Sequence, residues 1–324
     1  MPFSSQDTPS LVSAIIVNWN TKNYLLPCLK AILSEKNEQI EIIVVDNNSS
    51  DGSAELVKRD FPSVVLVTNN KNLMFAGGVN SGLRVAKGMY CLILNPDIVI
   101  TPAKIIELAF YLESHRDVVA VAPQLMYPDG TRQTEMFLRF PGLGQVIFYY
   151  TVLAPLARKV PFLRSAFYEC SLDGSHESTV DQVPGACMMV PRRFIETVGG
   201  MDEDFTLYYE DVDWCKRLSR YGRCVAYTKL SVYHHHGGSH GRYDEWVYGR
   251  FRVSMLLYFK KHLGVLRYLT AKTILIASAM PGYVLRKIQK MTGLGNAGMN
   301  AYHLGKYRFF FEELKNRKPS FDKY

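Results

Sequence analysis

The stretch IEIIVVDNNSSDGS, residues 40–53, decides the fold. Its first six residues include five β-branched apolar side chains, which is typical of a strand buried on both faces. The strand stops at Asp46, in a loop rich in Asp, Asn, Ser and Gly. Such strands belong to parallel sheets covered by helices, and these sheets bind ligands at the carboxyl ends of their strands. Asp46 is therefore placed where a ligand is expected.

The same pattern of a buried strand followed by a helix recurs through residue 97. The other buried strands are LVSAIIVNWN (11–20), SVVLVTNN (63–70) and MYCLILNPD (89–97), and segments with helical spacing separate them. This alternation predicts an α/β fold with a mostly parallel, Rossmann-like sheet and helices on both faces. The polar loops that follow these strands should line one rim of the sheet.

The composition is that of a folded globular protein with an excess of basic residues. The chain has 324 residues, of which 48% are hydrophobic and 21% charged, and its formal net charge is +8. This charge favours anionic partners such as nucleotides, diphosphates or an anionic membrane surface, whereas no basic segment is spaced like a nucleic-acid reader. The six cysteines include no CxxC pair. Together with the polar opening MPFSSQDTPS, this predicts reduced thiols in a cytoplasmic protein.

Asp97 follows the fourth strand in the sequence LILNPD, residues 92–97. A carboxylate at the rim of the sheet suits a hard divalent cation, because Mg²⁺ takes one or two carboxylates and fills its shell with water and substrate phosphates. The structural alternative is a turn, since Asn-Pro-Asp is favourable turn chemistry. The residues alone leave both interpretations open.

A cluster of carboxylates lies in YYEDVDWC, residues 208–215. Glu210, Asp211 and Asp213 stand together at the predicted start of a helix. A carboxylate there can act as a general base, and acidic residues in a first helical turn are also favoured by the helix dipole. Catalysis and helix capping are therefore both consistent with this segment.

Three adjacent histidines occur in YHHHGGS, residues 233–239. Alternate residues of a strand face the same way, so His234 and His236 share a face and His235 does not. A zinc site is one interpretation, although the HExxH pattern is absent. The other is a single imidazole that joins a metal site made of carboxylate and phosphate groups.

The glycine-rich segment NLMFAGGVNSG, residues 72–82, is neither a P-loop nor a GxGxxG motif. We expect the next helix to begin at Asn80, so that Gly77 lies in the loop before it. Glycines in this position permit close approach of the backbone to a ligand and leave free N–H groups. A plain loop–helix junction is the structural alternative.

Taken together, the chain resembles the inverting glycosyltransferase family 2, in particular the rhamnosyltransferase-like branch that builds bacterial surface polysaccharides. The matching pieces occur in the family's order over residues 11–240: IIVNWN, VVDNNSSDGS, NLMFAGGVNSGL, LILNPD, GACMMVPRR, GGMDEDFTLYYEDVDWCKR and VYHHHGGS. The resemblance implies a GT-A fold, a nucleotide-diphosphate sugar donor such as dTDP-L-rhamnose, a lipid-linked saccharide acceptor and a divalent metal, Mg²⁺ or Mn²⁺.

The resemblance also implies roles for particular residues. Asp97 matches the metal-binding aspartate of the family's DxD motif, and Asp211, next to Glu210, matches the catalytic base. His234 matches a histidine of the metal site, with His236 as the alternate. The expected nucleotide-sugar site comprises Asn18, Asn20, Asp46, Asn48, Gly77, Asn80, Asn95 and Asp97. Because the first position of the DxD motif is Asn95, the site has one carboxylate fewer.

Two other functions remain open from the sequence. One is a metal-dependent hydrolase that uses His234, His236 and Asp211, which would bind zinc tightly and act without a nucleotide donor. The other is a non-catalytic subunit that binds nucleotides and has kept the fold. Such a subunit would be expected to have lost the base position, yet Glu210 and Asp211 are both present.

Residues 1–242 are predicted to form the catalytic domain, with the donor site in residues 11–100 and the acceptor and catalytic part in residues 101–242. Residues 243–324 are predicted to be a helical, basic extension. The apolar segments 142–157 and 268–285 are too short or too interrupted for clear membrane spans, and they predict either buried helices or helices at a membrane interface. Peripheral attachment to the inner face of the cell membrane follows as a hypothesis.

Overall fold

A computed structural model describes residues 11–133, 136–157, 159–170, 176–235, 244–294 and 297–315. The chain forms two compact units, which we call the sheet unit and the helical unit. The sheet unit comprises Met1–Leu138, Cys170–Asp204 and Glu210–Gly241, and the helical unit comprises Arg139–Glu169, Phe205–Tyr209 and Arg242–Tyr324. The functional division at residue 242 stays a prediction.

The sheet unit is built on a mixed sheet of nine strands within the described residues. In chain order they are β1 Val12–Asn18, β2 Ile40–Asp46, β3 Val65–Thr68, β4 Tyr90–Leu94, β5 Ile98–Val99, β6 Val118–Met126, β7 Glu177–Val180, β8 Cys187–Pro191 and β9 Arg223–His234. Their order across the sheet is β3-β2-β1-β4-β8-β6-β9-β5, and β7 pairs with β9.

Strands β1 to β4 are mutually parallel, as the sequence predicts. Beyond β4 the sheet is mixed, because β8 runs antiparallel to both β4 and β6. Every residue of β1 and of β4 is buried. These strands are therefore covered on both faces, which explains why their sequences are continuous apolar runs.

Helices cover the sheet and make up the helical unit. The sheet unit contains α1 Lys22–Ile32, α2 Ser53–Asp60, α3 Met74–Val85, α4 Pro102–Ser114, α8 Arg192–Val198 and α9 Glu210–Leu218. The helical unit contains α5 Leu143–Tyr149, α6 Ala154–Ala157, α7 Pro161–Phe167, α10 Asp244–His262, α11 Val265–Thr292 and α12 Ala297–Lys315.

The prediction that the third helix begins at Asn80 is wrong. Helix α3 begins at Met74, so Gly77 lies within it rather than in a preceding loop. The glycines of this segment serve close packing: a Cβ atom on Gly78 would lie 2.5 Å from Val17 Cγ1, and one on Gly82 would lie 2.3 Å from Ile15 Cγ2. The absence of these side chains lets α3 lie directly on β1.

The apolar segments of the helical unit form helices that are partly exposed. The sequence of residues 142–157 gives two short helices, α5 and α6, and residues 268–285 lie inside α11, which continues through Pro281. A search of the described helices for one long and apolar enough to cross a bilayer finds none.

Candidate active site

The carboxyl ends of the first strands meet at one rim, and their registers place polar residues side by side. Asn18, the last residue of β1, is paired with Asp46, the last residue of β2. Asp46 is paired in turn with Thr68 at the end of β3. The sequence-predicted rim is therefore present, because parallel neighbours end on the same side of the sheet.

Asp46 is buried at this rim and its carboxylate is held in a defined orientation. Asn18 Nδ2 donates to Asp46 Oδ1 at 2.9 Å, and the backbone N–H of Ser49 donates to Asp46 Oδ2 at 2.9 Å. Asn18 is itself oriented by the Thr21 hydroxyl, which donates to its Oδ1 at 2.6 Å. Since a carboxylate has about four acceptor positions, Asp46 retains capacity for a ligand.

Asn20 and Asn48 shape the two loops beside this pair. Both are exposed and both have positive φ, 53° and 61°, a conformation that asparagine tolerates better than most residues. The N–H of Asn20 donates to the Ser49 hydroxyl at 3.0 Å, and Asn20 Oδ1 accepts from the N–H of Ser50 at 2.7 Å. The loops after β1 and β2 therefore support each other.

Asn80 lies on α3 and contacts the loop of residues 201–203, a contact that no sequence pattern indicates. Its Nδ2 donates to the Met201 carbonyl and to Glu203 Oε1, each at 2.8 Å, and its Oδ1 accepts from the N–H of Met201 at 2.9 Å. Gly77, one turn earlier, also faces Glu203, whose carboxylate would lie 3.7 Å from an added Cβ. Both positions therefore border the 201–203 loop.

Asp97 and His234 meet in the buried part of the rim. Asp97 Oδ1 lies 3.4 Å from His234 Nε2, and Asp97 and His234 are only 3% and 5% exposed. The pairing of Ile98 with His234 between β5 and β9 brings them together. His236, the alternate, lies outside the described residues.

Gln133 fixes the orientation of His234, a contact that no sequence pattern indicates. Its Nε2 donates to the His234 carbonyl oxygen at 2.9 Å, and its Oε1 lies 2.9 Å from His234 Nδ1. Because an amide oxygen can only accept, Nδ1 is the nitrogen that donates to Gln133, and Nε2 faces Asp97.

This arrangement fits a bound cation. Asp97 Oδ1 is buried and has no hydrogen-bond partner among the described residues, and His234 Nε2 faces it across 3.4 Å. Within the described part of the chain, no group of three or more His, Cys, Asp or Glu residues is positioned to hold a metal. A metal here would therefore take few protein ligands and complete its shell with water and phosphate, as Mg²⁺ sites do.

Glu210 and Asp211 open α9, and their environments differ. Asp211 Oδ2 accepts from the N–H of Gly185 at 3.0 Å, and Oδ1 accepts from the N–H of Val212 at 2.8 Å. Burial raises the pKa of Asp211, and these two hydrogen bonds oppose the increase. Burial, with the neighbouring Asp211 charge, raises the pKa of Glu210 to about 8, and its Oε2 has no hydrogen-bond partner among the described residues.

The third carboxylate of this segment has a structural role. Asp213 is fully buried and forms an ion pair with Arg217, whose Nε lies 2.7 Å from Asp213 Oδ2. The same guanidinium donates to the carbonyl oxygens of Val198 and Gly200, at 3.0 and 2.7 Å. Through Arg217, Asp213 therefore stabilises the loop of residues 198–200.

The dipeptide Gly185-Ala186 joins the two halves of the site. The Ala186 carbonyl accepts from the N–H of Asn95 at 2.9 Å, while the N–H of Gly185 holds Asp211. A Cβ atom on Gly185 would lie 3.1 Å from Asp211 Cβ, so glycine lets the carboxylate approach the backbone. The sequence motif GACMM contained this residue, although its role was not evident from the sequence.

Comparison with known proteins identifies the family. Residues 13–169 match the family model described as Glycosyl transferase family 2. The chain contains a glycosyltransferase family 2 domain. The protein is therefore a transferase enzyme, and its fold is the GT-A fold that the sequence predicts.

Two curated relatives are rhamnosyltransferases. The N-acetylglucosaminyl-diphospho-decaprenol L-rhamnosyltransferase of Mycobacterium tuberculosis is 26% identical over 249 residues, covering 72% of this chain and 78% of that protein. The rhamnosyltransferase WbbL of Escherichia coli K12 is 27% identical over 226 residues, covering 67% of this chain and 80% of that protein. The resemblance to the rhamnosyltransferase-like branch is thus confirmed.

Two solved structures share the fold. The mannosyltransferase PcManGT from Pyrobaculum calidifontis, in complex with GDP-Man and Mn²⁺, has a TM-score of 0.56 at 16% identity and covers 95% of this chain and 88% of that chain. Residues 1–349 of S. aureus TarS give a TM-score of 0.51 at 12% identity and cover 93% and 80%. At these identities the likeness shows the fold.

The buried Glu210 predicts a pH dependence of stability. Between about pH 4.5 and pH 8 the folded protein keeps the Glu210 proton that the unfolded chain has lost. Raising the pH through this window should therefore lower the free energy of unfolding, by up to about 1.4 kcal/mol per pH unit. Urea unfolding of the wild type and of Glu210→Gln at several pH values checks this. Parallel curves for the two proteins would contradict the shifted pKa.

Proposed function

We propose that this protein is an inverting glycosyltransferase that transfers a sugar from a nucleoside diphosphate donor to a hydroxyl group of a lipid-linked or polysaccharide acceptor. The sugar we propose is L-rhamnose, from dTDP-L-rhamnose, and the names of the two curated relatives support it. The observation that carries the proposal is the Asp211 carboxylate, whose pKa burial raises and which two backbone N–H groups hold in place.

Asp211 is the general base in this proposal. A sugar hydroxyl is a poor nucleophile, so a carboxylate must accept its proton as the new bond forms. A raised pKa makes Asp211 a better proton acceptor, and the hydrogen bonds from Gly185 and Val212 fix its direction. Glu210, whose pKa lies near 8, keeps its proton at neutral pH and so leaves one negative charge on the pair.

Asp97 and His234 are the residues that would hold a divalent cation, Mg²⁺ or Mn²⁺. When bound, such a cation neutralises charge on the leaving diphosphate. Gln133 keeps His234 Nε2 directed at the site, and Asn95 contributes an amide where the family motif has a carboxylate. The PcManGT structure is a complex with Mn²⁺, which supports a metal of this class.

Residues at the strand ends would bind the donor. Asp46, with capacity for a further hydrogen bond, is placed to accept one from a nucleobase, and Asn18 orients it. The exposed Asn20 and Asn48 flank the same loop pair. We also assign Gly77 and Asn80 to the donor site, through the 201–203 loop. Asn80 holds this loop by hydrogen bonds, and Gly77 leaves room for Glu203.

Inversion follows from attack opposite the leaving group with a single base. A nucleoside diphosphate leaves without being protonated, so no second carboxylic acid is required, unlike in a glycosidase. The alternative of a metal-dependent hydrolase is less well supported, because the family model and the curated relatives that match this chain are glycosyltransferases. A non-catalytic subunit is disfavoured by the oriented Asp211.

We also propose that α11 attaches the enzyme to an anionic membrane surface, where a lipid-linked acceptor resides. One face of α11 is buried through Ala271, Leu275 and Ala279. The other face exposes an apolar stripe at helical spacing, and the helix contains five basic residues and no acidic ones. The stripe consists of Leu266, Leu269, Met280, Val284, Ile288 and Met291, each at least 43% exposed.

The charge of α11 supports a membrane, rather than a partner protein, as the ligand of this stripe. Apolar side chains between basic ones can enter a membrane interface, and each basic group near an anionic surface contributes about 1 kcal/mol. A partner protein of neutral or basic surface would gain nothing from Lys287 and Lys290 beside Ile288 and Met291.

The first prediction concerns Asp211. Asp211→Asn keeps the shape of the side chain but cannot accept the proton, so kcat should fall at least about 10²-fold while donor affinity is nearly unchanged. Turnover with dTDP-L-rhamnose and titration calorimetry measure these quantities. The matched control, Asp204→Asn, alters an exposed carboxylate outside the site and should retain activity. Transfer at the wild-type rate by Asp211→Asn would remove this residue from the mechanism.

The second prediction concerns Asp97. Asp97→Ala removes a buried oxygen that has no hydrogen-bond partner among the described residues, so the fold should persist while metal-dependent donor binding weakens. Activity should fall and be only partly restored by excess Mn²⁺. Calorimetry with and without Mn²⁺ checks this, and the idea fails if metal leaves donor affinity unchanged in both proteins.

The third prediction concerns the membrane. The wild-type protein should sediment with liposomes that contain anionic lipid at low salt, and less so with neutral liposomes or at high salt. Replacing Leu269, Val284 and Ile288 together by Ser should strongly reduce sedimentation. The control is Phe110→Ser, which changes an apolar residue of α4 that is 58% exposed. Wild-type protein that stays in the supernatant, or forms dimers through the stripe instead, would refute membrane binding.

A further inference from the structure

The helical unit carries an excess of positive charge that the rest of the chain does not share. Its sequence contains 20 Lys and Arg residues and 6 Asp and Glu residues, a net charge of +14, whereas the remainder has 18 and 24, a net charge of −6. Part of this charge lies on the exposed α11. Another part points into the packing of α10 against α12, and there its partners are aromatic.

Arg252, on α10, lies among tyrosines. Its guanidinium carbon is 3.4 Å from the ring centre of Tyr248 and 6.0 Å from that of Tyr150. Burial lowers the pKa of Arg252, and the nearby hydroxyls of Tyr248, Tyr150, Tyr307 and Tyr209 oppose the decrease. A half-buried guanidinium is thus stacked and held in one place, with its N–H groups fixed in direction.

No carboxylate pairs with Arg252 among the described side chains. Among the described side chains of the helical unit, two carry a carboxylate. Glu169 forms an ion pair with Arg164 at 2.5 Å, and Glu312 forms one with Arg308 at 2.7 Å. The hydrogen bond that Arg252 makes to backbone goes to the Tyr248 carbonyl at 3.3 Å. A half-buried arginine usually has an anionic partner, and here the described protein residues do not supply one.

Lys306, on α12, brings a second cation to the same tyrosine. Its Nζ lies 5.8 Å from the ring centre of Tyr248 and 4.1 Å from that of Tyr302. The Tyr307 ring meets Tyr248 edge to face at 6.0 Å. Burial and then the charges of Arg286 and Lys306 lower the pKa of His303, because nearby positive charges disfavour a protonated imidazole.

We propose that Arg252 and Lys306 form a binding site for a diphosphate group, and that its ligand is the diphosphate of a lipid-linked acceptor. Arginine suits phosphate because its planar fork can donate two parallel hydrogen bonds. Lysine adds a point charge, and the tyrosine hydroxyls add further donors. The site is distinct in its residues from the Asp97 and His234 pair, which we assign to the donor.

The assignment to the acceptor rests on the proposed function and on the location of the site within the helical unit. The same unit contains the α11 stripe that we propose to bind the membrane. A lipid-linked diphosphate has its phosphates at the membrane interface and its lipid chain in the apolar layer. A unit with both an apolar stripe and a phosphate site can therefore bind the membrane and the diphosphate together. A nucleoside diphosphate has no lipid chain, so the apolar stripe would not contribute to its binding.

Binding measurements on the full-length protein test the site without requiring turnover. Titration calorimetry would use farnesyl diphosphate as the probe, farnesol as the probe without phosphate, and dTDP as the nucleotide. We expect farnesyl diphosphate to bind and farnesol to bind at least tenfold more weakly. Arg252→Gln and Lys306→Gln should each weaken farnesyl diphosphate binding about tenfold or more, because each removes a charge-assisted contact. Their affinity for dTDP with Mn²⁺ should be unchanged.

Two controls separate binding from packing. Arg308→Gln makes the same charge change two residues from Lys306, at an exposed ion pair, and should leave farnesyl diphosphate affinity within about twofold of wild type. Arg252→Lys keeps the charge but loses the fork, and should recover part of the affinity; thermal melting confirms that each variant is folded.

Three outcomes would overturn the proposal. The first is wild-type affinity for farnesyl diphosphate in folded Arg252→Gln and Lys306→Gln. The second is an equal loss in Arg308→Gln, which would mean that general charge is responsible. The third is loss of dTDP affinity in place of farnesyl diphosphate affinity, which would assign the site to the donor. A protein that binds farnesyl diphosphate through Arg252 but transfers no sugar would refute the proposed function and leave the site standing.

Discussion

The candidate active site depends on the backbone of Gly185 and Ala186. The Gly185 N–H holds the Asp211 carboxylate, and the Ala186 carbonyl holds the turn that carries Asp97. These hydrogen bonds lie just before β8, which runs between β4 and β6 and antiparallel to both. Because β8 is antiparallel to β4, the loop before β8 lies at the same rim as the carboxyl end of β4. Asp211, the proposed base, and the turn that carries Asp97 are therefore positioned by one segment of backbone.

Buried carboxylates are costly unless they are paired, protonated or bound to a cation, and three carboxylates of the sheet unit differ in their surroundings. Asp213 is paired with Arg217. Glu210 has its pKa raised to about 8 and so keeps its proton. Asp97 has one oxygen without a partner among the described residues and an imidazole nitrogen opposite it. Of these three carboxylates, Asp97 is therefore the one best suited to a metal.

Much of this arrangement could be predicted from the sequence. Continuous apolar strands that end in polar loops fixed the sheet and its rim, because strand periodicity and parallel topology are encoded locally. The sequence predicts too late a start for α3, because glycines are typical of loops. In the structure Gly78 and Gly82 lie within the helix and permit its close packing on β1. Gln133, Gly185 and the 201–203 loop were not foreseen as site residues. Each acts through contacts between distant parts of the chain, which no local pattern records.

The distribution of charge suggests two ways of holding a diphosphate in one protein. The sheet unit has a net charge of −6 and a rim with several carboxylates, so an anionic donor bound there needs a cation to offset repulsion. The helical unit has a net charge of +14, and Arg252 and Lys306 can meet an anion directly. If both assignments hold, chelation of the metal removes affinity for the donor and spares affinity for the acceptor's diphosphate. The two substrates would then be bound by independent electrostatic means, which allows either of them to bind first.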